Sequence, residues 1–213
     1  MKISKRLQAI ADCIPVGSYV IDVGCDHALL DIYLSLEKHC KCIATDINRN
    51  AIAQAKYNIA RFNANNIFTV LTDGLNGIEV SQDNILVISG MGASTILNIL
   101  ENKKLSNTLI ICAHNDWANL RHVVTNRGYK IVNEKFVIDN GKNYIIIVFS
   151  KGKEIYIDQD YIYGPILKKN AVYLDKLYEQ TEEIYNQIPN DNTDKKKYRN
   201  RLQEIEILKK ELK

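Results

Sequence analysis

The sequence predicts an α/β fold: a twisted, mostly parallel sheet of seven strands ending in an antiparallel hairpin, followed by a separate α-helical hairpin. Three observations predict it. Five short apolar runs, bounded by glycine, aspartate or asparagine, alternate with helix-like segments, which is the rhythm of βαβ units around a parallel sheet. Two longer runs, 129–138 and 143–149, are joined by Asp139-Asn140-Gly141-Lys142, and Asn-Gly between hydrophobic runs is a strong hairpin signal. Beyond Pro165 the apolar residues recur at intervals of three and four, the period of an amphipathic helix.

The 213 residues are enough for one α/β domain and a smaller appendage, here divided as 1–152 and 153–213. At 46% hydrophobic the chain can bury a substantial core. A net charge of +3 is too small to establish a nucleic-acid partner, so the distribution of charge must decide. The five cysteines are odd in number and mostly set in apolar runs, which describes core thiols rather than a disulfide framework. Cys40-Lys41-Cys42 has no second pair, so no metal is expected. No stretch is long and apolar enough for a bilayer. A reducing cytoplasm fits this cysteine usage.

Along the chain, residues 4–13 read as a short amphipathic helix with Ser4 as N-cap and Leu7, Ile10, Ala11 and Ile14 on one face. Arg6 stands near its start. The first strand, 19–23, runs into Gly24-Cys25-Asp26-His27-Ala28 and a helix from about 28 to 37. This strand–turn–helix is the stretch on which the rest depends. Asp22 lies at the carboxyl end of the strand, where open α/β sheets bind ligands, and a glycine in the turn admits a ligand close to the backbone. A dinucleotide site would carry three glycines. One glycine flanked by Asp22 and Asp26 instead suits a ligand with cationic groups, such as the sulfonium and ammonium of S-adenosylmethionine; an ordinary βα turn without a ligand is the alternative.

The second strand, 42–45, ends at Asp46, near the ~20-residue distance from the glycine turn at which an acid holds ribose hydroxyls. Asp46 can also cap the following helix, 49–62. The third strand, 67–71, ends in Thr72-Asp73-Gly74, where Asp73 suits either an exocyclic amine or a plain turn. The fourth, 85–88, is apolar throughout and runs into Gly90-Met91-Gly92, whose glycines let a flat group approach the backbone. A helix at 94–102 follows. The fifth strand, 108–112, leads through Asn115 to Trp117 and a helix at 117–127 stopped by Gly128. A closing hairpin after five β/α units marks the methyltransferase version of the Rossmann-like sheet, since the dehydrogenase version ends on a parallel strand.

In the tail, two amphipathic runs flank Pro189-Asn190-Asp191-Asn192, predicting an antiparallel coiled-coil hairpin. Its second helix begins with Lys195, Lys196, Lys197, Tyr198, Arg199 and Arg201, the densest basic cluster in the chain. Such a cluster with a tyrosine is a footprint for a phosphate backbone; a solvated helix end, or pairing with a second copy, are the other uses of the same residues.

These features together resemble one family, the bacterial tRNA (adenine-22, N1)-methyltransferases. Arg6-Leu7, Asp22-Val-Gly-Cys-Asp26-His27-Ala28, Thr72-Asp73-Gly74-Leu75, Gly90-Met91-Gly92, Asn115 and Tyr163-Gly164-Pro165 occur in the family's order across nearly the whole chain. The resemblance implies a class I, S-adenosylmethionine-dependent methyltransferase domain with a tRNA-binding helical hairpin, acting as a monomer. It implies that Arg6, Asp22, Gly24, Asp46, Ile47, Asp73, Gly74, Gly90, Met91 and Gly92 hold the cofactor. It further implies that Asp26 and His27 serve catalysis, that Asn115 and Trp117 lie beside a flipped base, and that Lys195, Lys196, Lys197, Arg199 and Arg201 grip tRNA. The chain departs from the family pattern at Leu29, where tyrosine is usual, at Asp31, where proline is usual, at Ala93 in place of a further glycine, and at Ala113-His114 in place of Gln-Pro. The competing enzyme reading is methylation of another RNA position or of a small molecule.

Overall fold

The computed structural model describes residues 1–212. Two compact units divide the chain, Met1–Ile155 and a second beginning at Tyr156.

The first unit is built in the order α1 (Lys5–Ala11), β1 (Tyr19–Val23), α2 (Leu29–Lys38), β2 (Lys41–Asp46), α3 (Arg49–Phe62), β3 (Ile67–Leu71), β4 (Ile85–Met91), α4 (Ala93–Leu100), β5 (Thr108–Ala113), α5 (Trp117–Asn126), β6 (Tyr129–Asp139) and β7 (Lys142–Lys151). The seven strands form one sheet in the order β3-β2-β1-β4-β5-β7-β6. β1 to β5 pair in parallel, and β7 inserts antiparallel between β5 and β6. Sequence direction reverses between β1 and β4, and this switch point is where an open α/β sheet leaves a crevice at its carboxyl edge.

Local chemistry explains the elements. Ser4 Oγ accepts from the Leu7 N–H and starts α1. The β6–β7 turn holds Asn140 and Gly141 both at positive φ, 49° and 76°, the twisted two-residue turn that Asn-Gly favours. Leu86, Val87, Ile88, Ile110, Ile111, Ile146 and Ile147 are buried in the central strands, as fits strands covered on both faces. One core cluster gathers Ile10 and Ile14 with Leu30, Leu34, Val87, Ile110 and Ile146; a smaller one joins Cys25, Ala28 and Ala44 to Ile52 and Ala55 of α3. All five cysteines are free.

Two expectations change. Asp46 does not cap α3: Asn48 does, its side chain accepting from the Asn50 N–H, and Asp46 is thereby released toward the sheet edge. The strand and helix bounds move by one to three residues, most at β4, which extends to Met91 through an irregularity between Ser89 and Met91.

The second unit adds a short helix, α6 (Asp158–Tyr163), and a 3-10 turn (Leu167–Lys169), both absent from the sequence reading, then α7 (Ala171–Gln187) and α8 (Asp194–Glu211). α7 and α8 pair antiparallel: Asp175 meets Lys209 at 2.6 Å, Tyr178 Oη donates to Glu206 Oε1, and Arg199 reaches Tyr185 Oη. Leu174, Thr181, Ile205 and Leu208 are buried, and buried Tyr163 donates to Glu204 Oε2 at 2.7 Å. Among the described residues no helix is long and apolar enough to cross a membrane, and no group of three or more His, Cys, Asp or Glu could hold a metal.

Candidate active site

A cleft of about 600 Å³ opens at the carboxyl ends of β1, β2, β3 and β4, and α1 supplies part of its wall. That size and place are those of a small-molecule site.

At the end of β1, Asp22 forms the floor and is only 4% exposed. Gly24 follows at φ 81°. A Cβ there would stand 2.2 Å from the Met91 Cε methyl, so the Met91 side chain of β4 lies across the turn. The N–H groups of Gly24 and Cys25 both donate to the Thr45 carbonyl. The turn is thus stitched to β2, and recognition falls to side chains. Asp26 and Ala28 are left-handed (φ 52° and 54°) on either side of His27. The Asp26 and His27 side chains project to solvent, 73% and 51% exposed, with Asp26 Oδ1 3.7 Å from His27 Nε2.

Asp46, at the end of β2, uses one oxygen to accept from the Asp26 N–H at 3.1 Å and the other from the Asn48 N–H at 2.8 Å. Each oxygen keeps a second lone pair for a ligand hydroxyl. Thr72, Asp73 and Gly74 form the β3 wall; Ser89, Gly90 and Met91 form the β4 wall. Arg6 brings a guanidinium into the same space. It lies 5.3 Å from the centre of the Tyr144 ring, with Nη1 3.7 Å from where a Gly90 Cβ would be. The Arg6 N–H is tied to Asp139 of the hairpin turn at 3.3 Å.

The wall therefore carries four acids, Asp22, Asp26, Asp46 and Asp73, against one guanidinium. Burial raises the Asp22 carboxyl to about 6; a hydrogen bond from Asp31 and the Arg6 charge pull it down, and Asp46 pushes it up. An acid-rich cleft with a single guanidinium at one side matches a ligand with cationic groups and one carboxylate.

Of the residues expected around a cofactor, Arg6, Asp22, Gly24, Asp46, Ile47, Asp73, Gly74, Gly90 and Met91 line the cleft, together with Asp26 and His27. Gly92, Asn115 and Trp117 stand outside the lining. Asn115 Oδ1 accepts from the Ala93 N–H at 3.0 Å and sits 3.3 Å from where a Gly92 Cβ would be, so it braces the start of α4. The Trp117 indole N–H is turned back onto the Ala113 carbonyl at 2.9 Å. His114, named in the sequence only as a departure from the family pattern, takes the place on the wall. Its signal was its position directly after β5, at the sheet edge where the other rim residues lie. Thr45, Thr72, Ser89, Thr95 and Ile99 are further lining residues not singled out.

The basic cluster of α8 is only partly free. Lys195 Nζ donates to the Ile188 carbonyl at 2.7 Å and stands over the Tyr185 ring, closing the α7–α8 turn. Arg201 lies 5.9 Å from the centre of the Tyr163 ring. Lys196, Lys197 and Arg199 are exposed.

Comparison with known proteins gives four matches of one kind. The profile of a family described as a methyltransferase domain matches residues 3–147. The tRNA (adenine(22)-N(1))-methyltransferase of Bacillus subtilis strain 168 is 32% identical over 205 residues, 88% of this chain and 86% of its own. Among solved structures, M. capricolum TrmK in complex with S-adenosyl-homocysteine superposes with a TM-score of 0.84 at 29% identity, covering 100% of both chains. Streptococcus pneumoniae Sp1610 in complex with S-adenosyl-L-methionine gives 0.88 at 28% identity over 98% of this chain and 100% of its own.

Proposed function

We infer the function from one premise: this chain belongs to the tRNA (adenine(22)-N(1))-methyltransferase family. It transfers a methyl group from S-adenosylmethionine to N1 of adenine 22 in tRNA. The observation that carries the reading is the cleft itself, where Asp22, Asp46 and Asp73 end three adjacent strands and Arg6 faces them.

The residues fit the cofactor. Arg6 takes its carboxylate and Asp22 its ammonium, each by charge. Asp46 accepts from the ribose diol with the lone pairs left over from Asp26 and Asn48. Asp73 accepts from the adenine amine. When bound, S-adenosylmethionine supplies an electrophilic methyl on a sulfonium. Neutral adenine N1 already carries a lone pair, so the chain needs no strong base; its work is to place N1 in line and exclude water. Met91, lying across Gly24, covers the reacting space. Asp26, exposed beside the cleft, stabilises the positive charge that grows on the target adenine or takes its amine proton, and His27 orients it. A paired base must leave its stack to reach this depth. The enzyme works as a cytoplasmic monomer.

The test is methyl transfer from labelled S-adenosylmethionine to total tRNA, with nucleoside analysis of the product. We expect 1-methyladenosine at a single position, and a rate about a hundredfold lower in Asp26→Ala with cofactor affinity retained. A different methylated nucleoside, or no transfer by a chain that binds the cofactor, removes the assignment.

The exposed face of α8 grips tRNA phosphates without reading sequence. Lys196→Glu/Lys197→Glu leaves the Lys195 turn contact intact. This variant is expected to weaken tRNA binding at least tenfold near 0.1 M salt and to lower the slope of log K against log salt by about 2. Binding measured by filter retention that matches the wild type at every salt concentration would remove this face from the interface.

A further inference from the structure

Asp31 stands where the family pattern has proline, and it is the third residue of α2. An acid in the first turn of a helix ordinarily faces water and complements the helix dipole. Asp31 is instead wholly buried, at 0% exposure. Neither of its carboxyl oxygens has a well-formed hydrogen bond from a nitrogen donor among the described residues. The Asp22 carboxyl, itself 4% exposed and on the cleft lining, bears on it by charge and hydrogen bonding, and the Cys42 thiol donates to the Asp31 backbone carbonyl at 3.9 Å.

Two carboxylates in contact in a dry site cannot both be ionised. The surroundings decide which keeps the proton. Asp31 is held well above the usual carboxylate range, by burial first and then by the Asp22 charge. Asp22 is raised less, because it opens on the cleft, receives a hydrogen bond from Asp31 and feels Arg6. The other groups facing the pair sort the same way. Asp46 of β2 adds negative charge from the cleft side. Cys25 and Cys42 are thiols that burial pushes far up, so they stay neutral. Among the described residues the cation that bears on the pair is Arg6, and it bears on Asp22.

We propose that Asp31 is a positioning residue: as a neutral acid it donates a hydrogen bond to Asp22, aiming that carboxylate at the cationic end of the bound cofactor and keeping it ionised. This rests on the cofactor reading above. It gives the proton on Asp31 a use in binding and predicts what a side chain there must supply, a donor and not a charge.

Calorimetric titration with S-adenosylhomocysteine, from pH 5 to pH 8.5, tests it. That probe keeps the ammonium and lacks the sulfonium, so it reports on Asp22. Wild-type affinity is expected to fall about tenfold between pH 7 and pH 5, as one proton returns to Asp22. Asp31→Asn, which keeps a donor, should retain wild-type affinity at pH 7 within about threefold. Asp31→Leu, of similar size without a donor, should bind about tenfold more weakly at pH 7, with its inflection about one unit higher. A folded Asp31→Leu chain with the wild-type profile overturns the proposal, and so does an Asp31→Asn chain as impaired as Asp31→Leu. Should Asp31→Leu not fold, carbon-13 carboxyl resonances of the wild type decide together with Asp31→Asn. One buried aspartate still protonated at pH 7 supports the pair, and none overturns it. A wild-type chain that binds no S-adenosylhomocysteine overturns the cofactor reading itself, a failure that the carboxyl resonances distinguish from failure of the pair.

Discussion

Asp22→Asn is expected to melt roughly 5 °C above the wild type at pH 7 and to bind S-adenosylhomocysteine ten- to a hundredfold more weakly. Both effects follow from one carboxylate. Burial raises Asp22 from 3.8 to about 6 in the folded chain. Between those values the folded chain holds a proton that the unfolded chain has released. Stability from this group is therefore fully present below about pH 4, declines as pH rises, and is lost above about pH 6. At pH 7 the ionised, buried Asp22 costs on the order of 3 kcal/mol, which asparagine removes. At roughly 2 °C per kcal/mol for a domain of this size, the melting temperature rises accordingly. The same change deletes the charge offered to the ammonium, and a hydrogen bond between charged groups contributes about 1.5–3 kcal/mol, or ten- to a hundredfold in affinity. Melting curves at pH 7 and pH 4 check the first half, since the two chains should converge at pH 4 where the wild-type group is protonated. A variant that melts lower at pH 7, or binds as tightly as the wild type, contradicts this account. Function here is held at the expense of stability, the usual trade at a polar site.

The parts of this molecule legible in the sequence are those governed by local rules. Strand ends could be placed because the apolar runs stop at, or within two residues of, Gly24, Asp46, Asp73 and Gly90, and the closing hairpin because Asn140-Gly141 admits one tight turn. The cleft follows, since a parallel sheet brings all those ends to one edge. The rest depends on tertiary neighbours. Asp31 has the sequence position of a solvated helix-start acid, and only the packing of α2 on β2 makes it a buried partner of Asp22. Asn115 follows β5 as a substrate-contacting residue would, yet its oxygen goes to the Ala93 N–H. Trp117 has the chemistry to stack on a base, but its indole N–H satisfies the Ala113 carbonyl. The α8 lysines form one run, while the fold assigns Lys195 to the turn and leaves its two successors to solvent. Spacing reports which residues reach the rim and is silent on which way each side chain turns.

Glu134→Ala is expected to cost the methyltransferase unit about 3–5 kcal/mol, a large share of the 5–15 kcal/mol a folded domain usually has. Arg121 of α5 is 0% exposed, and its Nε donates to Glu134 Oε1 of β6 at 2.7 Å, with Glu134 itself 5% exposed. Residue type would give Arg121 to solvent although its helical spacing puts it on the face of Leu120 and Val124, and strand alternation does not mark Glu134 as core. Their burial together pins α5 to β6, the first strand of the hairpin, the element that sets this sheet apart from a fully parallel one. Removing the carboxylate takes the opposite charge away from a fully buried guanidinium, and the cost of keeping that charge out of water, more than the lost attraction, drives the destabilisation. Replacing both partners with apolar residues of similar size, Arg121→Met/Glu134→Leu, should recover most of the loss, because no buried charge is then left alone. Urea denaturation at pH 7 measures each step. The pair lies outside the cleft lining, so activity per folded molecule in Glu134→Ala should match the wild type at temperatures where the variant is still folded, with losses appearing only as the unfolded fraction grows. If Glu134→Ala were as stable as the wild type, or the double variant no better than the single one, the hairpin would be held by its apolar packing and the ion pair would be incidental to the fold.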